Sequence, residues 1–293
     1  MTDFVTIRSD GLTAQLNPIG AELWSLRDQR GDEWMTDADP AYWTGHAPLL
    51  FPIVGALNGG VYRTGGERYA MPKHGFARTS TFEVVRAEPG RATFRLADDA
   101  RIREVYPFAF VLDVDYALAG MVLTVTATVA NPGSVALPFS FGFHPAFAWP
   151  LPGGAAKDAH RVTFERPEPH PISRLDPASG LLLPEGEYSP VEGDTLFPEA
   201  PLFEADALIW DRLNSRAVRF GAPGGGAVEF AFPDMPTLGI WQKPGAAYLC
   251  IEPWQGIADP VGFAGDISAK PGIVLLSPGA ERSFRLDIAI RPV

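Results

Sequence analysis

The sequence predicts an all-β fold, and three observations carry that reading. Thirty Gly and 29 Pro are spread along 293 residues, as many short strands joined by turns require. Val, Phe, Tyr, Thr and Leu alternate with polar residues in several stretches, the period of a strand with one buried face. Long helical patterns are absent. A chain that is 46% hydrophobic can bury a large core, and strand patterns of one kind run from end to end, so one domain spanning residues 1–293 is expected.

Charge and cysteine content narrow the function. The formal net charge is -11, from 24 basic and 35 acidic residues, and the basic ones form no stripe. Nucleic acid and anionic membrane are therefore poor partners, whereas a neutral small molecule is not repelled. The single cysteine, Cys250, excludes an intrachain disulfide and a cysteine-based metal cage; inside an apolar strand it reads as a small buried hydrophobe. The first eight residues carry no basic segment followed by an apolar run, and the apolar stretch from Ala47 to Leu57 is too short to span a bilayer. A cytoplasmic protein, monomeric or homodimeric, is the expectation.

Taken in order, Phe4 to Leu26 reads as two strands around Asn17-Pro18-Ile19-Gly20. Trp34, Tyr42 and Trp43 follow, with His46 close behind; their flat faces suit a core, the preferred reading, or the C–H surface of a sugar. The pairs Gly59-Gly60 and Gly65-Gly66 signal successive tight hairpins. Directly after them, His74 stands in a turn between Lys73 and Gly75, where a ligand can reach it. Thr81 to Val129 reads as a meander: Leu123, Val125, Ala127 and Val129 share one face, Thr124, Thr126 and Thr128 the other. A helical turn fits Asp98 to Val105, and nothing larger.

In Leu137 to Phe147 the period of two puts Phe139, Phe141 and Phe143 on one side and Ser140, Gly142 and His144 on the other. The Phe side is core. The opposite side is unusually small, which leaves room for a ligand to lie across it and touch His144. Residues 150–200, rich in Pro, Gly and Glu, read as long excursions in which His160 and His170 are solvated. An acidic approach through Asp206 then enters the strand at Leu208, and strands continue to Ile290, with Gly224-Gly225-Gly226 linking two of them.

The segment Ala247 to Pro260 carries the sharpest signal. A mostly apolar strand ends on Glu252 and breaks through Pro253 and Gly256, with Trp254 beside the carboxylate. Desolvation there raises the carboxyl pKa and makes Glu252 a candidate general base. The remaining chemistry-bearing residues are His74, His144 and Asp206. No loop matches the P-loop or dinucleotide pattern, and no Ser stands in a nucleophile elbow. A metal site from His74, His144 and an acid lacks the usual paired-His spacing, so none is expected. A glycosidase would need a second carboxylate, and choosing it among Asp206, Asp211 and Asp259 has no support.

Five motifs in one order, Phe51-Pro52-Ile53-Val54-Gly55, His74-Gly75-Phe76-Ala77-Arg78, Phe141-Gly142-Phe143-His144-Pro145, Gly239-Ile240-Trp241 and Cys250-Ile251-Glu252-Pro253-Trp254, resemble the aldose 1-epimerase (galactose mutarotase-like) family, especially its bacterial LacX-like branch. The resemblance covers nearly the whole chain. It implies an antiparallel β-supersandwich with a sugar site on its open concave face, and a cofactor-free activity on an aldose. By it, Glu252 matches the general base and His144 the general acid, starting ionised and protonated respectively. His74 and Asp206 match residues that bind and orient the sugar, and Arg78 and Trp254 join them as candidate substrate contacts, with Trp241 and Phe143 as further stacking surfaces.

Relatives of this branch often carry Arg after the Val-Gly pair, where this chain has Ala56; Arg78 is a cation that could substitute for it. Two alternatives therefore stand beside an aldohexose epimerase: a hexose-6-phosphate 1-epimerase, and a sugar-binding or sensing protein that keeps the fold but turns over poorly. Retention of Glu252 and both histidines argues against the sensor, since a binding module has no need of a matched acid and base.

Overall fold

The alternation read between Thr81 and Val129 is realised at the centre and one end of a nine-stranded antiparallel sheet. In spatial order its strands are Thr195–Leu196, Arg161–Phe164, Ala217–Gly221, Ala227–Ala231, Glu281–Arg291, Val122–Ala130, Val111–Ala119, Arg91–Ala97 and Glu83–Glu88. Leu123, Val125, Ala127 and Val129 are buried while the threonines between them are only half-buried, so the period of two holds along the whole strand. The computed structural model from which these strands are taken describes residues 3–293.

A second sheet lies against the first. Leu208–Trp210, Thr237–Trp241, Tyr248–Gln255, Phe141–Phe143 and Leu49–Leu50 run side by side, and Ala146–Ala148 pairs with the first half of Tyr248–Gln255. Aromatic rings join the two layers: Phe141 stacks on Phe284 at 5.3 Å, Phe147 meets Phe230 edge-on at 5.0 Å, and Trp210 leans on Phe164 at 5.2 Å. Such pairs add about 0.5–1.5 kcal/mol each beyond the area they bury. One face of the second sheet is thus committed to the core and the other is left free. Among the described residues no helix is long and apolar enough to cross a membrane.

Several local expectations hold and several are corrected. The helical turn is Ala100–Val105, capped by Asp99, whose carboxylate accepts the Ile102 N–H at 2.8 Å. The glycine run at 224–226 joins two paired strands. The N-terminal segment forms three strands, not two, Val5–Arg8, Leu12–Asn17 and Glu22–Asp28, because Ser9-Asp10-Gly11 makes an additional turn held by the Ser9 hydroxyl. Gly65-Gly66 makes a hairpin, but Gly59-Gly60 sits in a 3₁₀ turn that precedes it.

His170 is exposed, whereas His160 is buried rather than solvated: its Nε2 accepts the Leu151 N–H at 3.1 Å and its Nδ1 donates to the Ala156 carbonyl at 2.9 Å. Both ring nitrogens are satisfied by backbone, a bond pattern that spacing cannot reveal. Of the early aromatic group, Trp34 is core, Tyr42 is exposed, and Trp43 lies over the free face of the second sheet.

Candidate active site

The free face of the second sheet carries a cavity of about 270 Å³, close to the lower end of the roughly 300–1,000 Å³ range of small-molecule sites. Glu252, His144, His74, Asp206, Arg78 and Trp254 all line it, together with Trp241. Phe143 does not reach it. That ring is buried on the core face, as its place in the Phe139-Phe141-Phe143 alternation requires.

The strand Tyr248–Gln255 organises the site. Tyr248, Cys250, Glu252 and Trp254 alternate onto the free face, while Leu249 and Ile251 enter the core. Glu252 is not at the strand end: the strand continues through Pro253 and Trp254 to Gln255. Proline is tolerated inside this sheet because the neighbouring ladder is interrupted there. Gly142 pairs with Trp254 and Ala146 with Cys250; between them the Ile251 N–H donates to the Pro145 carbonyl at 3.1 Å, and no pair to this strand is formed at Phe143, the residue across from Pro253. The same register sets His144 directly across from Glu252, with Gly239 on the other side. His144 Nε2 lies 3.1 Å from Glu252 Oε2, both side chains buried.

Burial decides the charge state of this pair. Desolvation raises the Glu252 carboxyl well above its usual range, with the negative charge of Asp206 adding to it and Lys73 opposing. Desolvation lowers the His144 imidazole to about 3, with its own backbone opposing and the positive charges of Lys73 and Arg78 adding to it. The expected ion pair is therefore disfavoured by burial. The two groups hold one proton between them as a protonated carboxyl against a neutral imidazole, with the same proton count as the ion pair but less charge out of water.

A stability prediction follows from the sign of the Glu252 shift. In the window between the usual carboxylate pKa and the raised one, the folded protein keeps a proton that the unfolded chain has lost, so stability falls as pH rises. Glu252→Gln removes that loss. Urea unfolding at pH 5 and pH 8 is expected to show the variant gaining stability over wild type, more at pH 8; an equal or smaller gain at pH 8 would contradict the shift.

His74 is held by backbone alone. Its Nδ1 accepts the Gly55 N–H at 3.1 Å and its own N–H donates to the Gly55 carbonyl at 2.9 Å. The Nε2–H is therefore the donor left for a ligand, and burial first, then His144, Lys73 and Arg78, keep the ring neutral. His74 has φ of 69° and Asp206 φ of 68°, a left-handed conformation that costs a non-glycine residue on the order of 1–3 kcal/mol and tends to cluster at functional sites. Gly75 permits the first turn: a Cβ there would lie 2.2 Å from the Phe51 carbonyl oxygen.

Trp254 forms the floor. The small side of the His144 strand is not vacant, as the sequence reading had it; it receives this indole. A Cβ on Gly142 would lie 2.6 Å from Trp254 Cδ1, and one on Gly239 2.5 Å from its Cη2, so the two glycines let the ring lie flat across three strands. Gly239→Ala is expected to tilt the indole into the cavity at a cost of about 1–3 kcal/mol, raising KM for a sugar with a smaller change in kcat. Steady-state kinetics of the variant checks this; an unchanged KM would show that the ring does not support the ligand.

Sequence reasoning missed four contributors. Trp43, expected in the core, stacks on His144 at 4.9 Å. Lys73, next to a quoted motif, and Val54, inside one but given no role there, also line the cavity. Arg174, buried within the Pro-rich excursion, donates from Nη1 to the carbonyls of Leu202 at 3.1 Å and of Asp206 and Ala207 at 3.5 Å, and so holds the turn that carries Asp206. A lone Arg beside Ser173 and Leu175 gives no periodic signal of that role. Ala56 faces Gly180 instead of the cavity lining, whereas Arg78 does line it.

Known proteins identify the family and the fold. The family pattern described as Aldose 1-epimerase matches residues 3–289. Protein LacX (chromosomal) of Lactococcus lactis subsp. lactis is 29% identical, over 98% of this chain and 99% of that one. A galactose mutarotase related enzyme from Lactobacillus acidophilus superposes with a TM-score of 0.92 at 31% identity, covering 99% of this chain and 97% of that chain. A galactose mutarotase-like protein from Lactobacillus casei does so with 0.89 at 30%, covering 99% and 100%. The antiparallel β architecture is that of the galactose mutarotase-like proteins, and the chain belongs to the aldose 1-epimerase family.

Proposed function

We propose that this protein interconverts the α and β anomers of an aldohexose by acid–base ring opening and reclosure. The observation that carries the reading is the 3.1 Å contact between His144 Nε2 and Glu252 Oε2 in a cavity of monosaccharide scale. In the productive complex the shared proton resides on His144. Glu252 removes the proton of the anomeric hydroxyl as His144 protonates the ring oxygen. The C1–ring-oxygen bond breaks, leaving an aldehyde; rotation about C1–C2 and reversal of both proton transfers give the other anomer and restore the pair. Sugar hydroxyls replace water as hydrogen-bond partners, with His74 Nε2–H donating, Asp206 accepting and the Trp254 face meeting the C–H surface.

One observation favours a second reading, a hexose 6-phosphate as substrate. Lys73 and Arg78 both line the cavity, and neither forms an ion pair among the described residues. Half-buried Arg78 is lowered by desolvation, with Glu22 acting on it through space in the opposite direction. Two unpaired cations on a chain of net charge -11 suit an anionic substituent.

The test follows anomer interconversion by polarimetry or NMR from pure α-glucose, α-galactose and α-glucose 6-phosphate. Acceleration of any sugar supports the epimerase reading, and preference for the phosphate ester that disappears in Arg78→Ala supports the second. Binding without acceleration supports a sugar sensor instead.

A further inference from the structure

Cys250 stands outside the proposed mechanism, yet it faces the acid–base pair. It precedes Glu252 by two residues on the same strand face, and His144 sits across from Glu252. One donor atom from each of the three lies within 4.8 Å of the others, and all three residues are buried. We propose that His144, Cys250 and Glu252 form a binding site for a thiophilic divalent cation, zinc or cadmium, whose occupancy blocks the acid–base pair. The binding stands on this geometry alone, while the blocking of activity rests on the proposed function.

Donor chemistry and charge both fit. One nitrogen, one sulfur and one oxygen donor make a three-ligand set whose fourth position is left for water from the cavity, which His144 and Glu252 line. Ligand atoms at about 2.0–2.3 Å from one zinc stand within about 4 Å of one another, so side-chain adjustments of roughly an ångström close the site. Burial favours the protonated thiol and carboxyl. Binding releases the thiol proton and the proton shared by Glu252 and His144. A dication with one thiolate, one carboxylate and one neutral imidazole carries no net charge, so the complex avoids burying an uncompensated one.

The thiolate selects zinc or cadmium over magnesium or calcium. His144 Nδ1, buried without a hydrogen-bond partner, leaves the ring free to turn toward the cation but supplies no outer anchor. Lack of such an anchor typically weakens a site by about 10–100-fold, which marks this one as an inhibitory site instead of a resident metal centre.

The purified full chain would be titrated with cadmium in weakly buffered solution near neutral pH. The expected result is a thiolate-to-cadmium charge-transfer band in the ultraviolet that saturates at one equivalent, is competed by zinc and not by magnesium, and is accompanied by release of both protons. Cys250→Ala abolishes the band, and zinc inhibition of anomer interconversion becomes at least about tenfold weaker. Cys250→Ser, closer in volume, separates loss of the sulfur from loss of packing and is expected to lose the band while staying folded. No band in the wild type, or zinc inhibition unchanged in both variants, overturns the site. A band in a protein that accelerates no sugar leaves the cation site standing and overturns the proposed function.

Discussion

Glu252→Gln is expected to lower the rate of anomer interconversion by about 10²–10⁴-fold, the usual contribution of a positioned proton-transfer group. The amide keeps the shape and can still bond to His144 Nε2, but it cannot take a proton from an anomeric hydroxyl. Sugar binding should survive, because His74, Asp206 and Trp254 are untouched. The measurement is polarimetric kcat and KM beside a binding titration. A variant within threefold of wild type in kcat would remove Glu252 from the mechanism.

The pH profile of the wild type should carry the signature of a singly protonated pair. At low pH His144 takes a second proton, and its imidazole is held down to about 3 by burial first. At high pH the only proton leaves, and the raised Glu252 carboxyl moves that limb above the usual carboxylate range. Activity is thus expected to persist well below the ordinary imidazole pKa and to fall on the alkaline side. The two apparent values belong to the pair, not to either residue. A low-pH limb near 6.5 would show that His144 titrates as a solvated imidazole.

Lys270→Met should unfold the protein more easily by about 3–5 kcal/mol, the cost of leaving a buried charge without its partner. Lys270 Nζ lies 2.8 Å from Asp259 Oδ1 and donates to the Ile257 carbonyl at 2.7 Å, both side chains fully out of solvent. Asp259 Oδ2 accepts the Asn58 N–H at 2.9 Å, and its backbone joins Ala56 and Leu182. This pair therefore ties the loop after the Glu252 strand to the loop that holds Val54 and Gly55 at the cavity. The double variant Asp259→Asn with Lys270→Met should recover much of the loss, since it removes both charges. Urea unfolding of the three variants decides; equal destabilisation by the single and double changes would mean that packing, not charge, dominates.

Much of the architecture is legible in the sequence because strand periodicity is a local property. The meander through Leu123 to Val129, the Phe139-Phe141-Phe143 core face and the isolation of Glu252 in an apolar segment need only the alternation of side chains across a pleat. The five quoted motifs also name Glu252, His144, His74, Arg78 and Trp254, which meet at one cavity with Asp206 from outside the motifs. The misreadings share a cause. Pro253 looks like a strand end because proline removes a ladder hydrogen bond, and only the missing pair at Phe143 across from it shows why none is missed. His160 looks solvated because its partners are backbone groups of Leu151 and Ala156.

By itself, then, the sequence determined the all-β class and the core faces, because period and composition are written along the chain, and its resemblance to a known family named the candidate acid, base and sugar contacts. Tertiary structure decided what lies beside what. It set His144 against Glu252 with one proton between them, laid Trp254 over Gly142 and Gly239, brought Trp43 and Arg174 in from distant segments, and put Cys250 next to the pair. The reason is physical: pairing register and desolvation depend on neighbours across strands, and those neighbours exist only once the sheets have closed on their core.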